Sequence, residues 1–193
     1  MAKRESSFIN MTLTLFLVTF LASVALGVVY EVTKGPKAEA ESMKKNFAIK
    51  KVVPAFDNQP NAESYRIAAA PGEDSLTCYP ARKEGKLVGT AIETYTMKGF
   101  SGLIRLMVGL TPEGVIYSTS VLEQKETPGL GTKITEPLFK DQFDQKDPAQ
   151  FRLSVKKDGG EVDAITASTI TSRAFCDAVE RAYEAYMKGG RHE

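Results

Sequence analysis

Tryptophan is absent from this chain, histidine occurs once, cysteine twice, and net charge is close to nil, with 25 basic against 24 acidic residues. Each scarcity excludes a class of function. The one histidine, His192, stands next to the end in Gly-Gly-Arg-His-Glu, so a nucleophile–histidine–acid set has no raw material. Cys78 and Cys176 lie far apart in the sequence. Zinc and iron–sulfur sites need closely spaced ligands, so the pair reads as two separate buried thiols, with a disulfide on the oxidising side of a membrane as the alternative that spacing alone does not decide. A near-neutral balance offers no basic face for nucleic acid. Tyr and Phe are spread through the chain rather than clustered, which leaves no base-stacking platform.

What is present begins with an apolar run. No charge occurs from Ser6 to Tyr30, and Phe8–Tyr30 reads FINMTLTLFLVTFLASVALGVVY. As a helix this stretch would be about 35 Å long, enough for a hydrocarbon core of roughly 30 Å. Its hydroxyls can bond back to the helix and so cost little in lipid. The run exceeds the 7–15 apolar residues usual for a cleaved signal peptide, so an uncleaved anchor is expected. Lys3 and Arg4 before it put the N-terminus in the cytoplasm. Residues 1–34 are then the cytoplasmic N-terminus and anchor, 35–62 a helical linker, and 63–190 an extracytoplasmic domain. The localisation that follows is the inner membrane, single-pass.

Gly35-Pro36 is expected to break the membrane helix. Lys37–Lys51 is rich in helix formers and should be helical up to Pro54. From Tyr65 to Glu123 the pattern is strand-like. Lys86–Tyr95 follows a Glu-Gly turn, Leu103–Leu110 is nearly all apolar, and Val115–Leu122 follows the turn Thr111-Pro112-Glu113-Gly114. Glu136–Phe143 reads as a short amphipathic helix. Phe151–Val155 reads as a strand closed by Lys157-Asp158-Gly159-Gly160, with Val162–Ile165 pairing back. Phe175, Ala178, Val179, Ala182, Tyr183 and Tyr186 give Thr171–Met187 the helical period. The expected class is α+β: an N-terminal transmembrane helix, then one domain with an antiparallel sheet packed by helices.

Two segments suggest chemistry. Glu126-Thr127-Pro128-Gly129-Leu130-Gly131-Thr132-Lys133 sets two glycines around a leucine. That is either a loop whose backbone approaches a ligand closely or an ordinary connecting turn. Thr166, Ser168, Thr169, Thr171 and Ser172 place five hydroxyls within seven residues, just before the last helix. They are either part of a phosphate site at a helix N-terminus or simple N-caps.

These segments, in this order, resemble the flavin-carrying G subunit of the Rnf-type (Rsx-type) ion-translocating electron transport complexes, and the related C subunit of sodium-translocating NADH:quinone reductases. The resemblance runs through the membrane helix, Val53-Pro54-Ala55-Phe56-Asp57-Asn58, Gly99-Phe100-Ser101-Gly102-Leu103-Ile104, Met107-Val108-Gly109, Glu126–Gly131 and Asp163–Ser172. It implies an FMN-binding domain carrying FMN covalently, as a phosphodiester on a threonine. The family's attachment motif, Ser-Gly-Ala-Thr, corresponds to Thr166-Ala167-Ser168-Thr169, which implies Thr169 as the attachment residue. Ala167 stands where the motif has glycine and Ser168 where it has alanine. That leaves Ser168 and Thr171 as outside candidates. Asp163 matches an upstream acid used by the flavin transferase that installs FMN. Glu126, Thr127, Leu130 and Gly131 match the loop packing on the isoalloxazine, with Thr127 and Lys133 in polar reach. Thr166, Ser168, Thr171 and Ser172 complete the cofactor-binding set. The implied function is electron transfer in a membrane-bound ferredoxin:NAD oxidoreductase complex, with its other membrane subunits and the transferase as partners and no substrate reaction of its own. The alternatives are the quinone-reductase flavin subunit, a free-standing FMN-domain reductase, and a flavin-free, membrane-anchored assembly module.

Overall fold

The computed structural model describes residues 8–69 and 74–190, so Lys3, Arg4 and His192 lie outside the described residues. Its contacts divide into two units, Met1–Met43 and Lys44–Glu193. Helix α1 runs Phe8–Val52. Its apolar side chains from Phe8 to Val32 are exposed, and it is the one described helix long and apolar enough to cross a membrane. The hydroxyls behave as expected in such a segment. Thr12 donates to the Phe8 carbonyl at 2.9 Å, Thr14 to Asn10 at 2.7 Å and Ser23 to Thr19 at 2.8 Å. Gly35-Pro36 does not end the helix: Pro36 lies inside α1. A proline forfeits one bond of the backbone ladder, and the helix-forming residues after it resume the ladder.

Five strands form one antiparallel meander in chain order: β1 (Tyr65–Ile67), β2 (Leu76–Lys83), β3 (Lys86–Gly99), β4 (Gly102–Leu110) and β5 (Ile116–Glu123). The β2–β3 hairpin turns through Glu84 and Gly85, with φ of 52° and 77°, the left-handed pair that a two-residue hairpin loop requires. Asp57 and Asn58 pin this hairpin. Asp57 accepts the Glu84 N–H at 2.8 Å, and the Asn58 side chain accepts from the Arg82 N–H at 2.9 Å.

The apolar run of β4 is explained by burial on both sheet faces. Ile104, Leu106, Val108 and Leu110 join one core with helix α3 (Thr169–Ala185) and with Phe139 and Phe143. Met107 joins a second core with Ala91, Tyr79 and the end of α1 at Ala48, Ile49 and Val52. Gly109 makes that second contact possible, since a Cβ there would lie 1.6 Å from the Val52 carbonyl oxygen. In the first core the Phe175 ring sits 5.2 Å from Phe139 and 4.9 Å from Phe143. Such tilted and edge contacts are the favoured aromatic geometries.

Between β5 and α3 the chain is irregular. The short helix α2 spans Pro137–Lys140 and continues as a 3-10 turn over Asp141–Phe143. The strand expected at Phe151–Val155 is not formed; one parallel bridge, Val155 to Val162, stands in its place. Gly160 packs so closely under Ser154 that a Cβ would lie 1.9 Å from its carbonyl oxygen. The two valines serve as buried anchors of a loop rather than rungs of a ladder. Cys78 and Cys176 are separate, buried free thiols.

Candidate functional site

The hydroxyl cluster folds into the start of α3, and Thr169 is the first residue of that helix. Ser168 occupies the N-cap position but makes no capping side-chain bond. Its hydroxyl instead donates to Thr171 Oγ1 at 2.9 Å. Thr171 in turn donates to Glu126 Oε2 at 2.5 Å. Ser172 is also committed, donating to the Ser168 carbonyl at 3.0 Å and accepting the Ile165 N–H at 3.0 Å. Ser168, Thr171 and Ser172 are buried, while Thr169 is half-buried and Thr166 exposed. Three of the five hydroxyls thus serve the fold.

Glu126 is the centre of this arrangement. It is 4% exposed, and besides Thr171 it accepts the Ser101 N–H at 3.0 Å through Oε1. One carboxylate therefore ties the β3–β4 turn, the 126–133 loop and α3 together. Two glycines admit it. A Cβ on Gly131 would meet Glu126 Oε2 at 2.7 Å and Thr171 Oγ1 at 3.0 Å, and one on Gly99 would meet Glu126 Oε1 at 2.8 Å. The glycine loop is accordingly a close-packed element, and Gly129, with φ of 74°, makes its turn.

Above Glu126 lies a cavity of about 350 Å³, lined mainly by Phe100, Thr127, Leu130, Ser168, Thr169 and Ile170. This size falls at the lower end of small-ligand pockets, roughly 300–1,000 Å³. The structure brings Glu126, Thr127, Leu130, Gly131, Ser168, Thr169 and Thr171 together there. Ser172 is buried and does not line it. Lys133, Asp163 and Thr166 line a neighbouring groove of about 550 Å³, with Leu138 and Gln142. Asp163 is exposed and paired with Lys156 at 2.8 Å. Phe100 was absent from the residues singled out by sequence. It lay within the Gly99–Ile104 segment of the resemblance but was given no role there; a further signal was a large aromatic between Gly99 and Ser101, where a turn favours small or polar residues.

Ala167 departs from ordinary backbone, with φ of 61°. This left-handed conformation suits glycine. On the far side of α3's first turn, Arg173 grips Asp158 through two bonds of 2.6 and 2.8 Å, which holds the Asp158 carboxyl below its usual range.

Residues 99–184 match the family described as FMN-binding domain. The G subunit of the ion-translocating oxidoreductase complex of Erwinia tasmaniensis is 36% identical over 163 residues, covering 80% of this chain and 78% of the relative. The chain belongs to this family of G subunits. A second relative, the G subunit of the Na(+)-translocating ferredoxin:NAD(+) oxidoreductase complex of Acetobacterium woodii, is 31% identical over 186 residues, 91% of this chain and 89% of its own. The G subunit of the Escherichia coli K12 ion-translocating oxidoreductase complex is 36% identical over 162 residues, covering 79% and 78%. The crystal structure of the C subunit of the Na(+)-translocating NADH-quinone reductase from Parabacteroides distasonis matches with a TM-score of 0.50 at 22% identity, over 76% of this chain and 80% of that one. At that identity the likeness bears on the fold.

The residues present fit a flavin mononucleotide. The first turn of α3 lacks a side-chain cap, leaving amide donors and the positive end of the dipole for a phosphate. The adjoining cavity presents Phe100, Leu130 and Ile170, apolar surface suited to a flat ring system.

Proposed function

We propose that this chain is the electron-transferring G subunit of an Rnf-type ion-translocating ferredoxin:NAD oxidoreductase complex, holding FMN as a phosphodiester on Oγ1 of Thr169. The supporting observation is the sorting of the hydroxyls. Ser168, Thr171 and Ser172 are buried in bonds that shape the cradle, whereas Thr169 lines the cavity at an uncapped helix start. Thr166, the other accessible hydroxyl, faces the neighbouring groove.

Bound FMN supplies the redox chemistry, and the protein supplies position and electrostatics. The first-turn amides of α3 would hold the phosphate, and a covalent bond would prevent loss of the cofactor outside the cytoplasm, where the free compound is scarce. Thr127 and Leu130 line the ring's cavity. Glu126 holds the loop, the β3–β4 turn and the helix in register. Asp163, exposed beside Thr166, is the recognition point for the flavin transferase. Lys133 lines the same groove as Asp163 rather than the Thr169 cavity, so its role belongs with that recognition surface.

The remaining organisation follows from the anchor. Residues 1–34 form the cytoplasmic end and membrane span, 35–62 the helical linker, and 63–190 the flavin domain on the extracytoplasmic side of the inner membrane. The domain passes electrons between redox centres of partner membrane subunits and performs no reaction on a diffusing substrate.

The test is intact mass and in-gel fluorescence of denatured protein co-produced with its transferase, beside Thr169→Ala and Thr166→Ala. A mass increase of one FMN, with fluorescence lost in Thr169→Ala and kept in Thr166→Ala, is expected. An unmodified mass with an active transferase would sink the carrier reading, and loss of label in Thr166→Ala alone would move the attachment site.

A further inference from the structure

We infer that Phe100, at the tip of the β3–β4 hairpin, is a positioning residue for the isoalloxazine ring of the flavin on Thr169, an inference that rests on the functional reading above. Phe100 is 67% exposed. A single exposed apolar side chain is ordinary; Phe100 stands out because it shares a cavity with two other exposed apolar side chains.

The covering partner is indicated by what surrounds it. Phe100, Leu130 at 40% exposure and Ile170 at 49% come from three separate elements and line one cavity. That cavity also contains Thr169. An apolar ring system tethered at Thr169 is therefore delivered to these three side chains by the tether itself, at high effective concentration. Aromatic rings favour offset or edge contacts with centroids about 4.5–7 Å apart.

The hairpin is also clasped in place. Gly99 and Gly102 pair across the turn, and Gly102 takes φ of 95°. The Ser101 N–H is anchored on the buried Glu126 carboxylate, whose other oxygen holds Thr171 two residues beyond Thr169. Glu126 thus fixes the distance between the hairpin tip and the attachment residue. Met97 supplies the contrast. It is comparably exposed at 65% and lies three residues earlier, on β3, but it lines a different groove, with Tyr95, Leu103 and Arg105.

The test uses the full-length chain co-produced with its transferase, in detergent. Wild type is compared with Phe100→Ala, Phe100→Trp and Met97→Trp. Intact mass reports loading, and time-resolved emission and anisotropy report the ring. Phe100→Ala should load fully but raise the ratio of freely rotating to packed ring by about 2- to 10-fold, the range expected for one lost aromatic contact. Phe100→Trp should shorten the flavin lifetime, since contact with indole quenches it, while Met97→Trp should match wild type. Unchanged anisotropy in Phe100→Ala, or equal quenching in both tryptophan variants, would overturn the inference and assign the apolar patch to a partner protein of the complex. An unmodified wild-type mass would instead overturn the attachment reading and this inference with it.

Discussion

Replacing Ala167 by glycine should stabilise the protein, against the usual effect of adding glycine. Ala167 sits at φ of 61°, where an L-residue's Cβ crowds the following carbonyl at a cost of about 1–2 kcal/mol. Glycine escapes that cost but gives up about 0.5–1 kcal/mol through the greater freedom of the unfolded chain. Ala167 is exposed, so deleting its methyl loses little packing. The middle of these ranges favours Ala167→Gly by about 0.5–1 kcal/mol. For a protein of this size, each kcal/mol moves the midpoint by about 2–4 °C, giving a Tm rise of about 1–4 °C. The assay is thermal unfolding of the full chain in detergent, followed by the tyrosine near-UV signal. Ala167→Val, β-branched at the same φ, should lower Tm. A Tm for Ala167→Gly equal to or below wild type would refute the claim that this turn stores strain.

Gly109→Ala should be severely destabilising, by about 3 kcal/mol or more, because its Cβ would meet backbone atoms of Val52 at 1.6 and 2.5 Å; limited proteolysis near residue 52 should accelerate, and wild-type resistance would contradict the close approach. At Glu93, burial alone would raise the carboxyl pKa, but hydrogen bonds from Arg105 and Lys45 outweigh it and hold the group below its ordinary value. Such a group stabilises at pH above its unfolded pKa and loses that contribution as pH falls through its lower folded pKa. Acid unfolding below about pH 4 should therefore be shallower with pH in Glu93→Gln, and an identical slope would exclude Glu93 as a contributor. Burial pushes both thiols up to about 12, so iodoacetamide at pH 8 should label the native protein negligibly and the unfolded protein at both Cys78 and Cys176.

Much of the sheet was legible because its signals are local. Glu84-Gly85 and Thr111–Gly114 mark turns whose φ values the structure bears out, and strands β3, β4 and β5 fall within a few residues of the expected runs. What covers β4 was not legible, since an unbroken apolar run says only that both faces are buried. Pro36 misled because a helix breaker acts through one lost bond, while its effect depends on the residues beyond it. Val155 and Val162 looked like strand residues because a buried anchor and a ladder rung share the same composition. At the site, the hydroxyl cluster was visible in sequence, but the exclusion of Ser168, Thr171 and Ser172 was not. It depends on Glu126, 45 residues upstream of Thr171. Phe100 likewise joins Thr169 only through folding.

Strand order has a consequence for timing. Each strand pairs with its predecessor in the chain, so the sheet can assemble progressively from near neighbours. The start of α3 has no such independence, because Thr171 needs Glu126 and Thr94 reaches forward to the Ala178 carbonyl across 84 residues. Before α3 docks, the hydroxyls from Thr166 to Ser172 are chemically near-equivalent. Docking hides three of them and leaves Thr169 facing a cavity. Closure of the domain thus narrows five similar hydroxyls to two, Thr169 in the cavity and Thr166 in the neighbouring groove, and under the proposed attachment a transferase acting after closure would have only these two to tell apart.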